Sequence, residues 1–448
     1  MPTLDDVRKL VRLIKNASDT EYVFSRLHSA DWLPFLMSEG LFSSPYEPIP
    51  EQDGFLLPHW PQSRFLARIA ATGQPRPAQE LLLDVALSIP ETLNVRVHAD
   101  LVDVALNLDA DLSARLVPKA CKWIRSSFRL TLPLKLGALI SHLAKGGQVD
   151  SAILLAKSVL DIDGERQKAG KSRPLFLREP IPLFDVWEYE QILSKNVPDL
   201  LNVAGERTLN LLCGLLDTAI LLSDHQSAER RPQDLSYVWR AAIEEHEQNF
   251  STGVRHLLVT AVRDAAVQIA RTDRKAATAV VEMLEKQGKS WCVFRRIALH
   301  LVRLFPDVDP NLLQTGLVNR ENFDSVDVKH EYFLLEKECF GRLSTDQQDA
   351  ILGWIDEGPK YTEEHLKKWE EFTRRPWTDE DKIRYVRQWK RDHLAPLGVH
   401  LKGKWKETYA ELVSEEGQPR HPEFVTYHEG GAWGPHVNAG AKIDRVTP

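Results

Sequence analysis

The sequence contains little cysteine and no apolar run long enough to cross a membrane. Its four cysteines lie tens of residues apart without a CxxC pair, so they predict neither a zinc site, nor a dithiol redox site, nor a disulfide framework. The most apolar stretch, residues 208–222, is too short to span a bilayer. The N-terminal residues lack the apolar core of a signal peptide. We therefore expect a cytoplasmic protein with no membrane insertion.

Glycine and proline are also too scarce for a collagen-like or low-complexity chain, with 23 Gly and 26 Pro among 448 residues. The chain contains no Gly-x-Ser-x-Gly elbow, no His-Glu-x-x-His pair and no glycine-rich dinucleotide turn. These absences remove the most recognisable hydrolase, metalloprotease and dehydrogenase classes. They favour a protein that binds rather than catalyses.

Two weaker patterns resemble catalytic motifs but do not fit them. Gly164 and Gly170 are separated by five residues, whereas a phosphate-binding P-loop has four. Pro306-Asp307 and Asp327-Val328-Lys329 spell a metal-dependent nuclease pattern, but both pieces fall at predicted helix ends, where Asp serves as a cap. We predict no catalytic residue, no cofactor, no metal and no small-molecule substrate. An enzyme whose site is assembled from dispersed residues is kept as an alternative.

Apolar residues recur at helical spacing along most of the chain. Val97, Leu101, Val104 and Leu108 fall at i, i+4, i+7 and i+11, which places them on one face of a helix. Similar patterns predict helices at 61–71, 77–89, 112–126, 134–144 and 149–160. Helix pairs begin near residues 61, 94 and 132, a repeat of about 33 to 38 residues. This predicts an all-α fold, an α-solenoid of roughly nine to eleven stacked antiparallel helix pairs.

Several short stretches resemble known helical repeats. Ser290–Leu299 (SWCVFRRIAL) is similar to the Val-Arg-x-x-Ala stretch of HEAT repeats, and Asn94–Ala99 and Thr252–His256 are weaker examples. Residues 1–160, with Trp32–Leu36 and Trp60–Leu66, also resemble the N-terminal arms of large bacterial solenoid proteins, some of which belong to defence systems. The resemblance implies degenerate HEAT/ARM-like repeats, and its motifs are packing motifs that imply no chemistry.

The pattern predicts six segments. Residues 1–39 are N-terminal helices, 40–60 a Pro- and aromatic-rich connection, 61–160 a first repeat block, 161–184 a basic loop or short hairpin arm, 185–416 a second block, and 417–448 a non-helical tail. In the connection, we expect Phe42, Tyr46, Phe55 and Trp60 to pin the chain to the array, because a free linker would carry fewer aromatics.

The strongest candidate for a binding surface is the segment 382–406. It has a net charge of +7 while the whole chain has −7, so the remainder has −14. Its candidate residues are Lys382, Arg384, Tyr385, Arg387, Trp389, Lys390, Arg391, Lys402, Lys404 and Lys406. Cations interleaved with aromatics suit phosphate contacts and base stacking, but they also suit an acidic protein partner, a solvated helix face or internal ion pairs.

Two further candidates lie outside that segment. The basic loop carries Arg166, Lys168, Lys171, Arg173 and Arg178. Trp433 lies in the tail between glycines and a proline, where an exposed aromatic would serve as an anchor.

Together these features predict a non-catalytic scaffold or recognition arm of a larger assembly, which the resemblance links to bacterial defence. It would bind a protein partner through the solenoid surface and the C-terminal region. The alternative is a helical-repeat protein that binds nucleic acid through residues 382–406.

Overall fold

The computed structural model describes residues 2–52, 54–125, 128–162, 179–223, 235–249, 253–360, 367, 370–371 and 374–428. Helices dominate these ranges, and the strands described form one short antiparallel hairpin, β1 (Ile49–Glu51) and β2 (Gly54–Leu56). The prediction of an all-α fold is therefore confirmed. None of the described helices combines the length and the apolar character needed to cross a bilayer.

The described α-helices are numbered here in chain order. The first eleven are α1 Leu4–Leu13, α2 Ala17–Arg26, α3 Leu33–Ser38, α4 Pro61–Ala70, α5 Arg76–Ser88, α6 Val95–Leu106, α7 Ala110–Trp123, α8 Leu132–Lys145, α9 Val149–Val159, α10 Val186–Lys195 and α11 Val197–Ser223. The others are α12 Ser236–Trp239, α13 Val254–Thr272, α14 Arg274–Gly288, α15 Cys292–Leu304, α16 Pro310–Leu317, α17 Arg320–Asp324, α18 Lys329–Cys339, α19 Thr345–Glu357, α20 Asp379–Leu394 and α21 Lys404–Glu416.

Contacts divide the chain into two compact units. Unit 1 comprises Met1–His225 and Gly253–Ala265, and unit 2 comprises Gln226–Thr252 and Ala266–Pro448. The six segments predicted from the sequence follow composition rather than contacts, and they stay a prediction.

Helices α4 to α9 of unit 1, called the helix ladder here, follow a regular order of contacts. The even-numbered helices α4, α6 and α8 contact one another in sequence, as do the odd-numbered α5, α7 and α9. Each helix also packs on the next one along the chain. The predicted helical stretches between residues 61 and 160 coincide with these helices to within a few residues. Leu101 and Val104, predicted on the buried face of α6, are at most 1% exposed.

The side chain of Asn94 joins the start of α6 to the connection 40–60. Its Oδ1 accepts the N–H of Arg96 at 3.1 Å, which caps the helix. Its Nδ2 donates to the carbonyls of Tyr46 and Pro58, both at 2.8 Å. One buried amide therefore fixes both ends of the segment that contains the β-hairpin.

The aromatics of the connection 40–60 divide into two groups. Phe42 and Trp60 are buried, with ring centroids 6.5 Å apart in an edge-to-face arrangement, and Tyr46 is half-buried. Phe55 is 54% exposed. Phe55 contacts the ring of Phe128 outside the connection at 5.0 Å although it is largely exposed, so the expectation that these aromatics pin the connection stays a prediction.

Candidate functional site

Four of the eight cations in segment 382–406 form ion pairs within unit 2. The pairs are Lys382 with Asp379 at 3.0 Å, Arg387 with Glu415 at 3.4 Å, Lys390 with Asp356 at 3.4 Å, and Arg391 with Asp392 at 2.7 Å. Half of the predicted basic surface therefore has intramolecular carboxylate partners. Most of these groups are partly exposed, so the pairs contribute little to stability.

Arg391 has a structural position rather than a surface one. It is 9% exposed, and its Nη1 donates to the carbonyls of Glu416 and Gly417 at 2.8 and 3.2 Å. Those carbonyls end α21, where helices leave acceptors without a partner. Arg391 therefore joins α20 to the end of α21, and it is not available to a ligand.

The two predicted aromatics differ in exposure. Trp389 is partly buried and stacks on His393 with ring centroids 3.9 Å apart. Tyr385 is 42% exposed, with its ring centroid 5.7 Å from that of Trp377. Only Tyr385 offers much of its ring surface to a partner.

The other cations, Arg384, Lys402, Lys404 and Lys406, are exposed and form no ion pair with a described carboxylate. They do not form one patch. Arg391 in the last turn of α20 lies against the end of α21, whereas Gly398, four residues after α20, lies beside Tyr409 in the middle of α21, so the two helices run antiparallel. At a rise of 1.5 Å per residue, Arg384 and Lys404 are therefore roughly 28 Å apart along the helix axes. Lys404 lies over the ring of Trp405, with Nζ 4.9 Å from the centroid.

Arg166, Lys168, Lys171, Arg173, Arg178 and Trp433 lie outside the described residues. The start of the tail is described, and it packs on unit 2. Phe424 stacks on His330 at 4.3 Å, and the main chain of His428 forms hydrogen bonds of 2.9 and 3.0 Å with the side chain of Gln248.

One edge of unit 1 has a composition that the sequence patterns did not single out. This loop edge comprises the described residues of the connection 46–60 and of the loop 124–131, the loop 89–94, and residues 179–187, which end the connection into α10 and begin that helix. Its parts contact each other. Leu93 donates its N–H to Glu47 at 3.0 Å, and the rings of Phe55 and Phe128 meet at 5.0 Å. Near the start of α10, Pro182 forms a bridge with Ile162, which follows α9, and Glu188 interacts electrostatically with Arg129 of the loop before α8.

Large apolar side chains are exposed along the loop edge. They are Ile49, Phe55, Leu56, Leu93, Leu130, Ile181 and Trp187, with 37% to 62% of their surface accessible. The opposite edge of the helix ladder consists of the short turns 71–75, 107–109 and 146–148. Among the described residues, no large apolar side chain of those turns is exposed. Seven of the exposed large apolar side chains described in unit 1 therefore lie at this edge, and the described turns of the opposite edge carry none.

Trp187 is the largest exposed side chain of the loop edge, at 58%. It occupies the second position of α10, whose N-cap Asp185 accepts the N–H of Trp187 at 2.8 Å. The cap fixes the backbone, so the indole is presented from a rigid helix start rather than from a loop. Exposed tryptophans on rigid supports are typical binding anchors.

A buried ion pair at the centre of unit 2 has a structural role. Arg296 and Glu331 are almost fully buried and form a bidentate pair at 2.7 and 2.9 Å. Arg296 also donates to the carbonyls of Arg240 and Ala241, and Glu331 accepts the N–H of Ile243. Burial alone would raise the pKa of Glu331, but Arg296 outweighs it and the pKa lies below its usual value. The pair fixes the backbone that follows α12.

A cavity of about 30 Å³ lies beside α18 in unit 2. Among the described residues, Glu336 Oε1 and Asn322 Oδ1 have no hydrogen-bond partner, and burial raises the pKa of Glu336 well above its usual value. Burial also lowers the pKa of His393, on the cavity wall, to about 4. The cavity holds roughly one or two water molecules, far below the ~300 Å³ of a substrate pocket. We therefore assign no catalytic role to it.

Among the described residues, no group of three His, Cys, Asp or Glu side chains is arranged to hold a metal ion. Comparisons with family models, with curated proteins and with solved structures return no match. The likeness to HEAT repeats therefore rests on the packing motifs quoted above.

Proposed function

We propose that the chain is an α-solenoid scaffold, the recognition arm of a larger assembly, that binds a protein partner along the loop edge of unit 1. The order of contacts in the helix ladder supports the solenoid part. Helices that alternate between two layers, each contacting the next in its own layer, are what stacked helix pairs require. Such arrays commonly bind macromolecules along an extended surface.

The observation that carries the proposal is the apolar loop edge. Contiguous exposed apolar residues cost solvation free energy, and in soluble monomers they mark binding sites more often than chance. Leu93 and Trp187 are 62% and 58% exposed on separate parts of this edge. The opposite edge instead carries ion pairs, such as Arg76 with Asp109 at 3.0 Å. A protein partner that covers the loop edge would remove its apolar side chains from water.

The proposal is tested by affinity capture from the native host with a matched pair of variants. Leu93→Ser with Trp187→Ser changes the loop edge, and Leu13→Ser with Val203→Ser changes side chains of similar exposure elsewhere in unit 1. We expect the edge variant to lose the partner at least tenfold and the control to retain it. Both should keep the far-UV circular dichroism of the parent, since surface changes typically alter stability by less than about 0.5 kcal/mol. Equal retention by the two variants would remove the loop edge from the proposal.

A second candidate is nucleic-acid binding by the exposed cations of segment 382–406. The observation that favours it is the group Lys402, Lys404 and Lys406 at the start of α21, with Trp405 among them. Three phosphate contacts predict a salt slope of about −2 to −3.

The test replaces Lys402, Lys404 and Lys406 by Glu and measures fluorescence anisotropy with single- and double-stranded oligonucleotides at several salt concentrations. Arg391 is left unchanged because it holds α21 in place. We expect the substitutions to abolish binding if this surface is used. Binding that survives them, or that does not depend on salt, would exclude this surface as a nucleic-acid site.

A further inference from the structure

We propose that the loop edge takes an extended segment of its partner as a third strand on β2, and that this segment carries a basic residue next to apolar ones. The inference rests on the proposed function and specifies the chemistry of the partner. It is argued from the register of the hairpin, its exposure and its charge.

The hairpin has one closed edge and one open edge. Pro50 pairs with Phe55 in the register Ile49–Leu56, Pro50–Phe55 and Glu51–Gly54. Proline has no N–H, so the hydrogen bonds between β1 and β2 are formed by the flanking pairs Ile49–Leu56 and Glu51–Gly54. The outward edge of β1 therefore lacks a donor at its centre. On β2, the N–H and C=O of Phe55 point away from β1, and no described group forms a hydrogen bond with them.

The hairpin is also incomplete as a sheet. All six strand residues are exposed. A two-stranded hairpin in water is marginal by itself, and a third strand or a covering layer normally completes it. The ring of Phe55 contacts only one other ring among the described residues, that of Phe128. An exposed apolar strand with a free edge is a template for strand addition.

Charge favours a basic partner. Residues 40–60 contain Glu47, Glu51 and Asp53 and no Lys or Arg, which gives this segment a net charge of −3. Glu47 already accepts the N–H of Leu93, whereas Glu51 is exposed at the end of β1. Lys or Arg in the incoming strand would complement these carboxylates.

The strand geometry then sets the order of residues in the partner. A residue paired with Phe55 shares its face of the sheet, so an apolar side chain there would extend the contact with Phe128. The residues on either side point to the opposite face. There, the residue paired with Gly54 lies on the side of Glu51, and the residue paired with Leu56 lies on the side of Leu56 and Ile49. The expected segment is therefore basic beside Gly54, apolar beside Phe55 and apolar beside Leu56.

The test selects random 12-residue peptides displayed on phage against the full chain, and measures the affinity of the best synthetic peptide by anisotropy. We expect enrichment of an apolar residue with Lys or Arg on one side and a further apolar residue on the other. Phe55→Ala removes the ring but leaves the edge open, whereas Phe55→Pro also removes the outward N–H and keeps the ladder. We expect Phe55→Pro to bind about tenfold more weakly than Phe55→Ala, because a main-chain hydrogen bond is lost. N-methylation of the paired peptide residue should have a similar effect.

The control is Pro50→Val, which leaves the β2 edge intact and should bind the selected peptide within twofold of the parent. Equal binding by Phe55→Ala and Phe55→Pro, together with no effect of N-methylation, overturns the inference. Selection of acidic consensus peptides overturns the inference as well. So does a selection in which the parent chain enriches no peptide more than the Phe55→Pro variant does. A parent chain that sediments as a dimer dissociated by Phe55→Pro would show that the edge binds a second copy instead.

The outcome is distinguishable from failure of the proposed function. If the parent chain and Phe55→Pro both capture the native partner and Leu93→Ser with Trp187→Ser does not, the loop edge binds without strand addition. If the parent chain captures nothing that depends on the loop edge, the proposed function itself fails.

Discussion

The helix ladder of unit 1 and the centre of unit 2 bury polar groups in different ways. In the ladder, His98 stacks on Trp123 at 4.8 Å, and burial lowers its pKa to about 4, so the imidazole is neutral at physiological pH. In unit 2, Arg296 and Glu331 are buried as a charged pair, with backbone groups satisfying the remaining hydrogen bonds. At His98 the charge is suppressed by burial, whereas at Arg296 and Glu331 it is retained and paired.

The difference follows from how regular each unit is. In the ladder, consecutive helices pack through mostly apolar buried side chains, and their backbone groups are largely satisfied within the helices. In unit 2, residues 240–249 are not helical, and their carbonyls and amides need partners. Arg296 and Glu331 supply those partners. In unit 2, the non-helical backbone of residues 240–249 is thus accompanied by the buried ion pair of Arg296 and Glu331.

The largest expected effect comes from breaking that pair. Arg296→Met leaves Glu331 buried without a cation, so we expect a loss of about 3–5 kcal/mol in the free energy of unfolding. Urea denaturation measures the loss, and hydrogen-exchange mass spectrometry should place it in unit 2. As a control, Arg342→Met removes an exposed pair with Asp307 and should cost less than about 1 kcal/mol.

Replacing both Arg296 and Glu331 tests whether the unpaired charge causes the loss of stability. Arg296→Met combined with Glu331→Leu should recover much of the stability, because no charge is then left unpaired. A double variant as unstable as Arg296→Met alone would show that the backbone contacts, rather than the ion pair, dominate.

A smaller loss is expected in the ladder, where packing replaces charge. Leu101 is 1% exposed in α6, and Leu101→Ala should cost about 2–4 kcal/mol through lost burial and a residual cavity. Leu154→Ala, on a side chain that is 49% exposed, should cost less than about 1 kcal/mol. Hydrogen exchange should show that the loss of stability caused by Leu101→Ala is confined to unit 1. Equal losses from the two variants would contradict a tightly packed ladder.

The smallest effect depends on pH. Burial raises the pKa of Asp100, which accepts a hydrogen bond from Ser63 at 2.6 Å, to about 6. Its ordinary value is 3.8. Between these values the folded chain holds a proton that the unfolded chain has lost, so the contribution of Asp100 to stability falls as the pH rises from about 4 to 6. Above about pH 6, the free energy of unfolding is lower by about 2–3 kcal/mol than it is below pH 4 because of this group.

Asp100→Asn should remove this dependence. Urea denaturation at pH 4.5 and 7.5 measures the stability of the parent and of the variant. We expect the variant to lose less stability than the parent when the pH is raised from 4.5 to 7.5. Parallel changes in both proteins would show that Asp100 does not titrate in this window.

The helices between residues 61 and 160 could be predicted because helical periodicity is a local property. The pair Arg296–Glu331 could not, since its members are 35 residues apart in sequence and neither spacing nor composition links them. Arg296 lies within the stretch that resembles a HEAT repeat, but its partner depends on the tertiary fold. Local pattern therefore predicts elements better than it predicts the contacts that hold them.

The predicted basic segment shows the limit of counting charge along a sequence. Arg384 and Lys404 lie within one 25-residue window, but antiparallel packing of α20 on α21 separates them, and Arg391 is buried at the helix end. The apolar loop edge was missed because its members come from four separate stretches. One signal was present: Asp53-Gly54 between Ile49 and Phe55 is a typical hairpin turn sequence.

Pro50 also limits how large an assembly built on this hairpin can become. Two open β2 edges could pair about a two-fold axis, which would give a closed four-stranded sheet with Pro50 on each outer strand. Neither outer strand would then offer a complete row of donors to a further copy. The missing N–H at residue 50 thus closes the outer edge of β1 to strand addition, so the hairpin can be extended at β2 alone.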